Sequence, residues 1–111
     1  MSQSDQTSTI AEIKRQVQDF CEARSWDQFH GAKDLAIGLV TESCELLEIF
    51  RFMSEEQTRQ LLEAPKDRER IADELADSLY FIVRFAQLYN FDLATCVREK
   101  MIKNAVKYPV E

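Results

Sequence analysis

Two pairs of carboxylates stand three residues apart, Glu42-Ser43-Cys44-Glu45 and Glu74-Leu75-Ala76-Asp77. Residues at this spacing share a face of a helix, so each pair points two acidic groups at one place. At about 100° per residue, Leu35, Leu39, Leu46 and Ile49 form a narrow apolar stripe, with Glu42 in its middle and Glu45 at its edge. A carboxylate in a core-facing position needs something there to offset its desolvation. Glu74 and Asp77 flank a second apolar stripe, on the same arc as Phe81 and Leu88. If the two helices pack antiparallel, the pairs meet along one seam, where like charges strongly raise one another's pKa. A divalent cation resolves that conflict, and all-oxygen donors select a hard ion, Mg²⁺ with Mn²⁺ as a substitute. A ferritin-like di-iron centre also uses inward carboxylates, but it requires Glu-x-x-His pairs. The sole histidine, His30, lies ahead of the acidic helix.

Two other groups carry chemistry. Lys100, Asn104 and Lys107 follow i, i+4, i+7 spacing and line one helix face. Beside a metal cluster such a face holds phosphate oxygens; without one, cations near a helix C-terminus still favour the dipole. Trp26, Phe29 and His30 bring aromatic and hydrogen-bonding surface next to the acidic helix. A nucleobase needs that combination of a stacking plane and a few edge contacts. The other reading is a loop plugging the core, and Phe29 is assigned to it.

Helices must position these groups. The chain has two glycines, two prolines and almost no strand-like alternation, so the expected fold is all-α. Thr9 and Glu12 make a capping box opening a first helix that runs to about Ser25, with Ile10, Ile13, Val17, Phe20 and Arg24 inward. Residues 26–31 break the periodicity as a structured loop. A second helix is expected from about Lys33 to Met53, followed by a polar linker, 54–66, holding a short helical turn around Glu55–Leu62. Pro65 and Asp67 start a third helix ending near Asn90, its core face Ile71, Leu75, Ser78, Ile82, Phe85 and Tyr89. Asp92 caps a last helix with Val97, Met101 and Ala105 inward, and Pro109 stops it. A flexible polar stretch, 1–8, thus precedes a single domain, 9–111.

At 111 residues one core of modest size is available, and long amphipathic helices in so short a chain predict an oligomer. The formal net charge is -6 and the basic residues form no run, which argues against a nucleic-acid partner. Cys21, Cys44 and Cys96 are odd in number and lack C-x-x-C spacing, as expected of reduced thiols in a cytoplasmic protein. The polar start lacks the segments of a signal peptide, and the longest apolar run, Leu35 to Val40, is far too short to span a membrane.

Taken together, Trp26-x-Gln28-Phe29-His30, Lys33-Asp34-Leu35-Ala36, Glu42-x-x-Glu45-Leu46-x-Glu48-x-Phe50, Asp73-Glu74-Leu75-Ala76-Asp77 and Lys100-x-x-x-Asn104-x-x-Lys107-Tyr108-Pro109-Val110 resemble the MazG-type nucleotide pyrophosphohydrolases. These form the all-α NTP pyrophosphatase superfamily, and the resemblance is to its dCTP-pyrophosphatase-like branch. It extends over about residues 10–110, and the joint order of the motifs is specific. It implies a four-to-five-helix bundle completed by oligomerisation as a dimer, or as a tetramer built as a dimer of dimers. It also implies Mg²⁺-dependent conversion of a (d)NTP, dCTP or a modified pyrimidine dNTP, to the monophosphate and pyrophosphate, a house-cleaning of the nucleotide pool. On that reading Glu42, Glu45, Glu74 and Asp77 bind metal, and Glu45 doubles as the general base. Lys33, Lys100, Asn104 and Lys107 contact phosphates. Trp26, His30, Phe52 and Phe81 serve the base. Phe52 replaces a usual tryptophan, Phe81 a tyrosine of some members, Val17 a histidine of some, and Asp34 the usual asparagine. These changes alter the hydrogen-bonding edge of the pocket and keep its stacking surfaces. Two rivals remain, a non-catalytic nucleotide-binding or oligomerisation module of the same fold, and hydrolysis of a phosphoribosyl-ATP.

Overall fold

A computed structural model describes residues 3–111; Met1 and Ser2, part of the expected flexible start, lie outside the described residues. Three of the helices begin where a side chain satisfies their first free N–H groups. α1 spans Ile10–Ala23, with Thr9 accepting from the Glu12 N–H and Glu12 accepting from the Thr9 N–H. A short 3-10 turn, Trp26–Phe29, follows, entered through Ser25 at φ 55° in the left-handed region. α2 is Ala32–Phe50, α3 Glu55–Glu63, α4 Pro65–Tyr89 and α5 Leu93–Lys107. Pro65 opens α4, where its missing N–H costs nothing. Asn90 ends it at φ 62°, a conformation asparagine tolerates, and Asp92 caps α5 by accepting from the Thr95 N–H. The expected helical turn in the linker is thus a full helix, capped by Ser54 and Gln57. Among the described residues there is no strand.

α4 is the axis of the molecule, with α1, α2 and α3 packed around it. The α2 stripe is as the spacing predicts: Leu35 and Ile49 are buried, Leu39 and Leu46 half-buried. Gly38 brings the two helices together, since a Cβ there would stand 2.3 Å from Cε1 of Phe81. α4 departs from its expected single stripe. Ile71 is buried, but Leu75, Ile82 and Tyr89 are exposed, while Val83, Arg84 and Ala86 are buried. The reason is that α4 meets helices on two sides. Phe81 faces α2 at Gly38, and Tyr80 faces α1, its hydroxyl 3.0 Å from the buried Cys21 thiol.

Three other assignments are corrected by burial. On α1, Ile10, Phe20 and Arg24 are exposed and the buried residue is Cys21. Phe29 is 63% exposed and plugs nothing, because the 3-10 turn points it outward. Val97, Met101 and Ala105 are exposed on α5. Apolar periodicity marks the face a helix will bury, but among the described residues no element covers that face of α5.

Candidate metal centre and its cleft

The seam between α2 and α4 brings one carboxylate oxygen each of Glu42, Glu45 and Glu74 within 4.8 Å of one another. Glu42 and Glu74 are half-buried and Glu45 is exposed. Oε2 of Glu42 and Oε2 of Glu74 are fully buried and have no hydrogen-bond partner among the described residues. Burial pushes the Glu42 carboxyl up to about 7, reinforced by Glu45 and then by Asp77. Burial and the Glu45 charge raise Glu74 as well. Unpaired buried carboxylate oxygens are costly and rare. Clustered oxygen donors fit a divalent cation, whose charge supplies the counterpart they lack. Asp77 lies beside this trio, lining the adjoining cleft together with Glu42.

That cleft, about 650 Å³, lies between α1, the 26–29 turn and α4. α1 contributes Gln16, Val17 and Phe20, the turn contributes Trp26, and α4 contributes Ala76, Asp77, Tyr80 and Phe81. Its aromatic walls meet edge-to-face, with centroids 5.5 Å apart for Phe20–Trp26, 6.5 Å for Phe20–Tyr80 and 5.0 Å for Tyr80–Phe81. A carboxylate floor under aromatic walls suits a ligand with a metal-bound anionic end and a flat apolar end.

Of the sequence-predicted residues, Glu42, Asp77, Trp26 and Phe81 line this cleft, and Glu45 and Glu74 complete the acidic cluster. His30, Lys33, Phe52, Lys100, Asn104 and Lys107 do not line it. Phe52 is 86% exposed just past α2, beneath the Arg51 guanidinium. Lys33, Lys100 and Lys107 are exposed, with Lys107 over the Tyr108 ring. The imidazole of His30 accepts through Nδ1 from Nε of Arg84 at 3.0 Å. Asp34 turns back toward its own helix start, its carboxylate accepting from the Gly31 N–H at 3.3 Å. Gln16, Phe20, Tyr80 and Arg84 were not assigned to a site from sequence. The available signal for Arg84 was a lone cation in the apolar run Phe81-Ile82-Val83-Arg84-Phe85-Ala86.

Comparison with known proteins points the same way. Residues 37–111, which carry both carboxylate pairs, match the model of the MazG-like family. The chain belongs to that family. This MazG-like chain is 35% identical over 102 residues to dCTP pyrophosphatase 1 of Rattus norvegicus, covering 92% of the chain and 60% of the relative. It is 33% identical over 101 residues to dCTP pyrophosphatase 1 of Homo sapiens, covering 91% and 59%. It therefore spans about three fifths of the length of these curated relatives. The crystal structure of a pyrophosphatase from Archaeoglobus fulgidus superposes with a TM-score of 0.86 at 27% identity, covering 99% of both chains. Among the described residues no helix is long and apolar enough to cross a membrane.

Proposed function

We propose that this protein is a Mg²⁺-dependent nucleoside triphosphate pyrophosphohydrolase, acting on dCTP or a modified pyrimidine dNTP. The observation that carries the reading is the pair of buried, unpartnered oxygens on Glu42 and Glu74 at the edge of an aromatic-walled cleft. The dCTP pyrophosphatase relatives support the choice of substrate.

Glu42, Glu45, Glu74 and Asp77 would hold the metal, with Mn²⁺ an acceptable substitute for Mg²⁺. When bound, Mg²⁺ supplies charge neutralisation and Lewis acidity to the triphosphate. Trp26 offers its indole face to the base, with Phe20 set against the indole edge-to-face. Glu45, the exposed member of the cluster, takes a proton from the attacking water. The water's hydroxyl joins one phosphorus as the α–β phosphoanhydride breaks, leaving the monophosphate and pyrophosphate. Among the described residues no cation lines the cleft, so Lys100, Asn104 and Lys107 would reach the phosphates from a second copy. The apolar faces left open, among them Val97 and Ile102 of α5 and Val40 and Leu47 of α2, suit a dimer or a dimer of dimers. Three free cysteines suit a cytoplasmic setting.

Asp34, as an extra negative charge near phosphate, is the one residue that would favour a non-catalytic module. Its carboxylate instead serves the start of α2. The test is a panel of canonical and modified dNTPs and NTPs with Mg²⁺, assayed for monophosphate and pyrophosphate. Glu42→Gln should lose activity by a factor on the order of 10² or more while staying folded. Unchanged pyrophosphate release from that variant, or stepwise release of orthophosphate through a diphosphate, contradicts the assignment.

A further inference from the structure

We propose that Arg84 is a positioning residue which, by clamping Asp27 and His30, holds Trp26 in place as the stacking face of the cleft. The proposal rests on the nucleotide reading given above. Arg84 is fully buried in α4, yet all its acceptors but one lie on the 26–29 turn and its exit. Nη2 pairs with the Asp27 carboxylate, Nε donates to Nδ1 of His30 at 3.0 Å, and Nη1 donates to Gln87 at 2.5 Å. A guanidinium Nε can only donate, so the imidazole is neutral with its proton on Nε2. Burial and the Arg84 charge both act against protonation of His30, while Asp27 and Asp34 act for it.

Besides Arg84, the turn is held by the edge-to-face contact of Phe20 with Trp26 and by Gln28 Nε2 donating to the Ser25 carbonyl at 3.1 Å. It buries none of its own residues, and it leaves α1 through Ser25 in the left-handed region, whose N–H donates to the Glu22 carbonyl at 3.0 Å. The indole meets the His30 ring edge-to-face at 6.1 Å, so the imidazole that Arg84 grips is also a neighbour of Trp26. Arg84 stands seven residues beyond Asp77, on the same face and about 10 Å along the helix. One helix thus carries Glu74 and Asp77 of the acidic floor together with the anchor for the aromatic wall, and so sets the distance between the two ends of a nucleotide. A buried cation held by a fork of oriented bonds does this better than an apolar side chain, because the bonds fix direction as well as proximity.

Trp26 is the sole tryptophan, so its fluorescence reports the turn directly. Arg84→Met should raise acrylamide quenching of Trp26 and raise KM for dCTP by about tenfold, with kcat within about twofold of the parent. Arg84→Lys should restore part of both effects. Inhibition by inorganic tripolyphosphate with Mg²⁺, which lacks a base, should stay unchanged. Asp27→Asn, at a half-exposed side chain, repeats the test with smaller effects and decides it should Arg84→Met fail to fold. Parental quenching and KM in the folded variants overturn the proposal, as does a parallel loss of tripolyphosphate affinity. A parent that hydrolyses no nucleotide sinks the functional reading instead, while the quenching comparison still decides the role of Arg84.

Discussion

Gly38 offers a direct test of how α2 and α4 fix the site. A Cβ added there would stand 2.3, 2.6 and 2.7 Å from Cε1, Cζ and Cδ1 of Phe81. Carbon atoms in contact sit about 3.5–4.0 Å apart, so three ring atoms each fall short by roughly 1 Å. A rigid ring cannot yield at one corner, and α2 cannot withdraw without opening its packing along α4. The cost of such overpacking is about 1–3 kcal/mol. Against it stands the gain of alanine over glycine in a helix interior, about 1 kcal/mol. Gly38→Ala alone should therefore destabilise by about 0–2 kcal/mol, a range too near zero to decide anything. A double-mutant cycle decides it. Phe81→Val removes all three opposing atoms, so Gly38→Ala in that background should stabilise by about 1 kcal/mol, giving a coupling of about 1–3 kcal/mol. Urea denaturation of the four proteins at one protomer concentration measures it. The parent ring also divides the acidic cleft from an apolar groove lined by Leu35, Phe85 and Leu93. Its displacement should raise KM for a nucleotide. Coupling below about 0.5 kcal/mol would show that the ring and the glycine are independent, and the account of the α2–α4 approach would be wrong.

The acidic cluster makes two predictions. The Glu42 carboxyl is raised from 4.5 to about 7 in the fold, so the folded metal-free protein binds a proton that the unfolded chain has released between those values. Its stabilising contribution is full below pH 4.5 and is lost as pH rises through 7. The Tm of chelator-treated protein should fall over that window, and Glu42→Gln should flatten the slope; a Tm that rises with pH refutes the linkage. Metal must displace the same proton, so Mg²⁺ affinity should rise about tenfold between pH 6 and 8 and then level off. Calorimetry in buffers of different ionisation enthalpy should detect proton release on binding, and pH-independent affinity would count against a protonated Glu42.

The helices were legible because local chemistry encodes them. Thr9 with Glu12, Pro65, and Asp92 mark starts that depend on nothing beyond the first turn. The acidic floor was legible for a related reason, since Glu42 interrupts an apolar stripe whose buried members are where the spacing puts them. The α4 core was less so. A single-stripe reading assumes one neighbour, and α4 has helices on two sides, which buries Val83 and Arg84 and leaves Leu75 and Ile82 exposed. The aromatic wall was half legible. Trp26 stood out as a lone tryptophan in a loop, whereas Phe20 read as core because a helix period cannot separate the lining of a cleft from the interior. Two of the three partners of Arg84 lie 54 and 57 residues away, beyond any local pattern.

The floor and the wall are linked by helical arithmetic. On α2, Gly38 precedes Glu42 by four residues; on α4, Asp77 precedes Phe81 by four and Arg84 by seven. Each helix therefore sets its carboxylate about one turn, roughly 6 Å, from the close contact at Gly38 and Phe81. A residue larger than glycine at 38 would part the helices where the ring crosses, and the orphaned oxygens of Glu42 and Glu74 would separate with them. An apolar residue at 42 would complete the stripe and relieve a buried, unpaired carboxylate, so stability alone does not account for Glu42. Its retention among Leu39, Leu46 and Ile49 makes sense if a cation completes the seam. The metal-free fold is then the strained member of the pair, and the ligand supplies what the core leaves out.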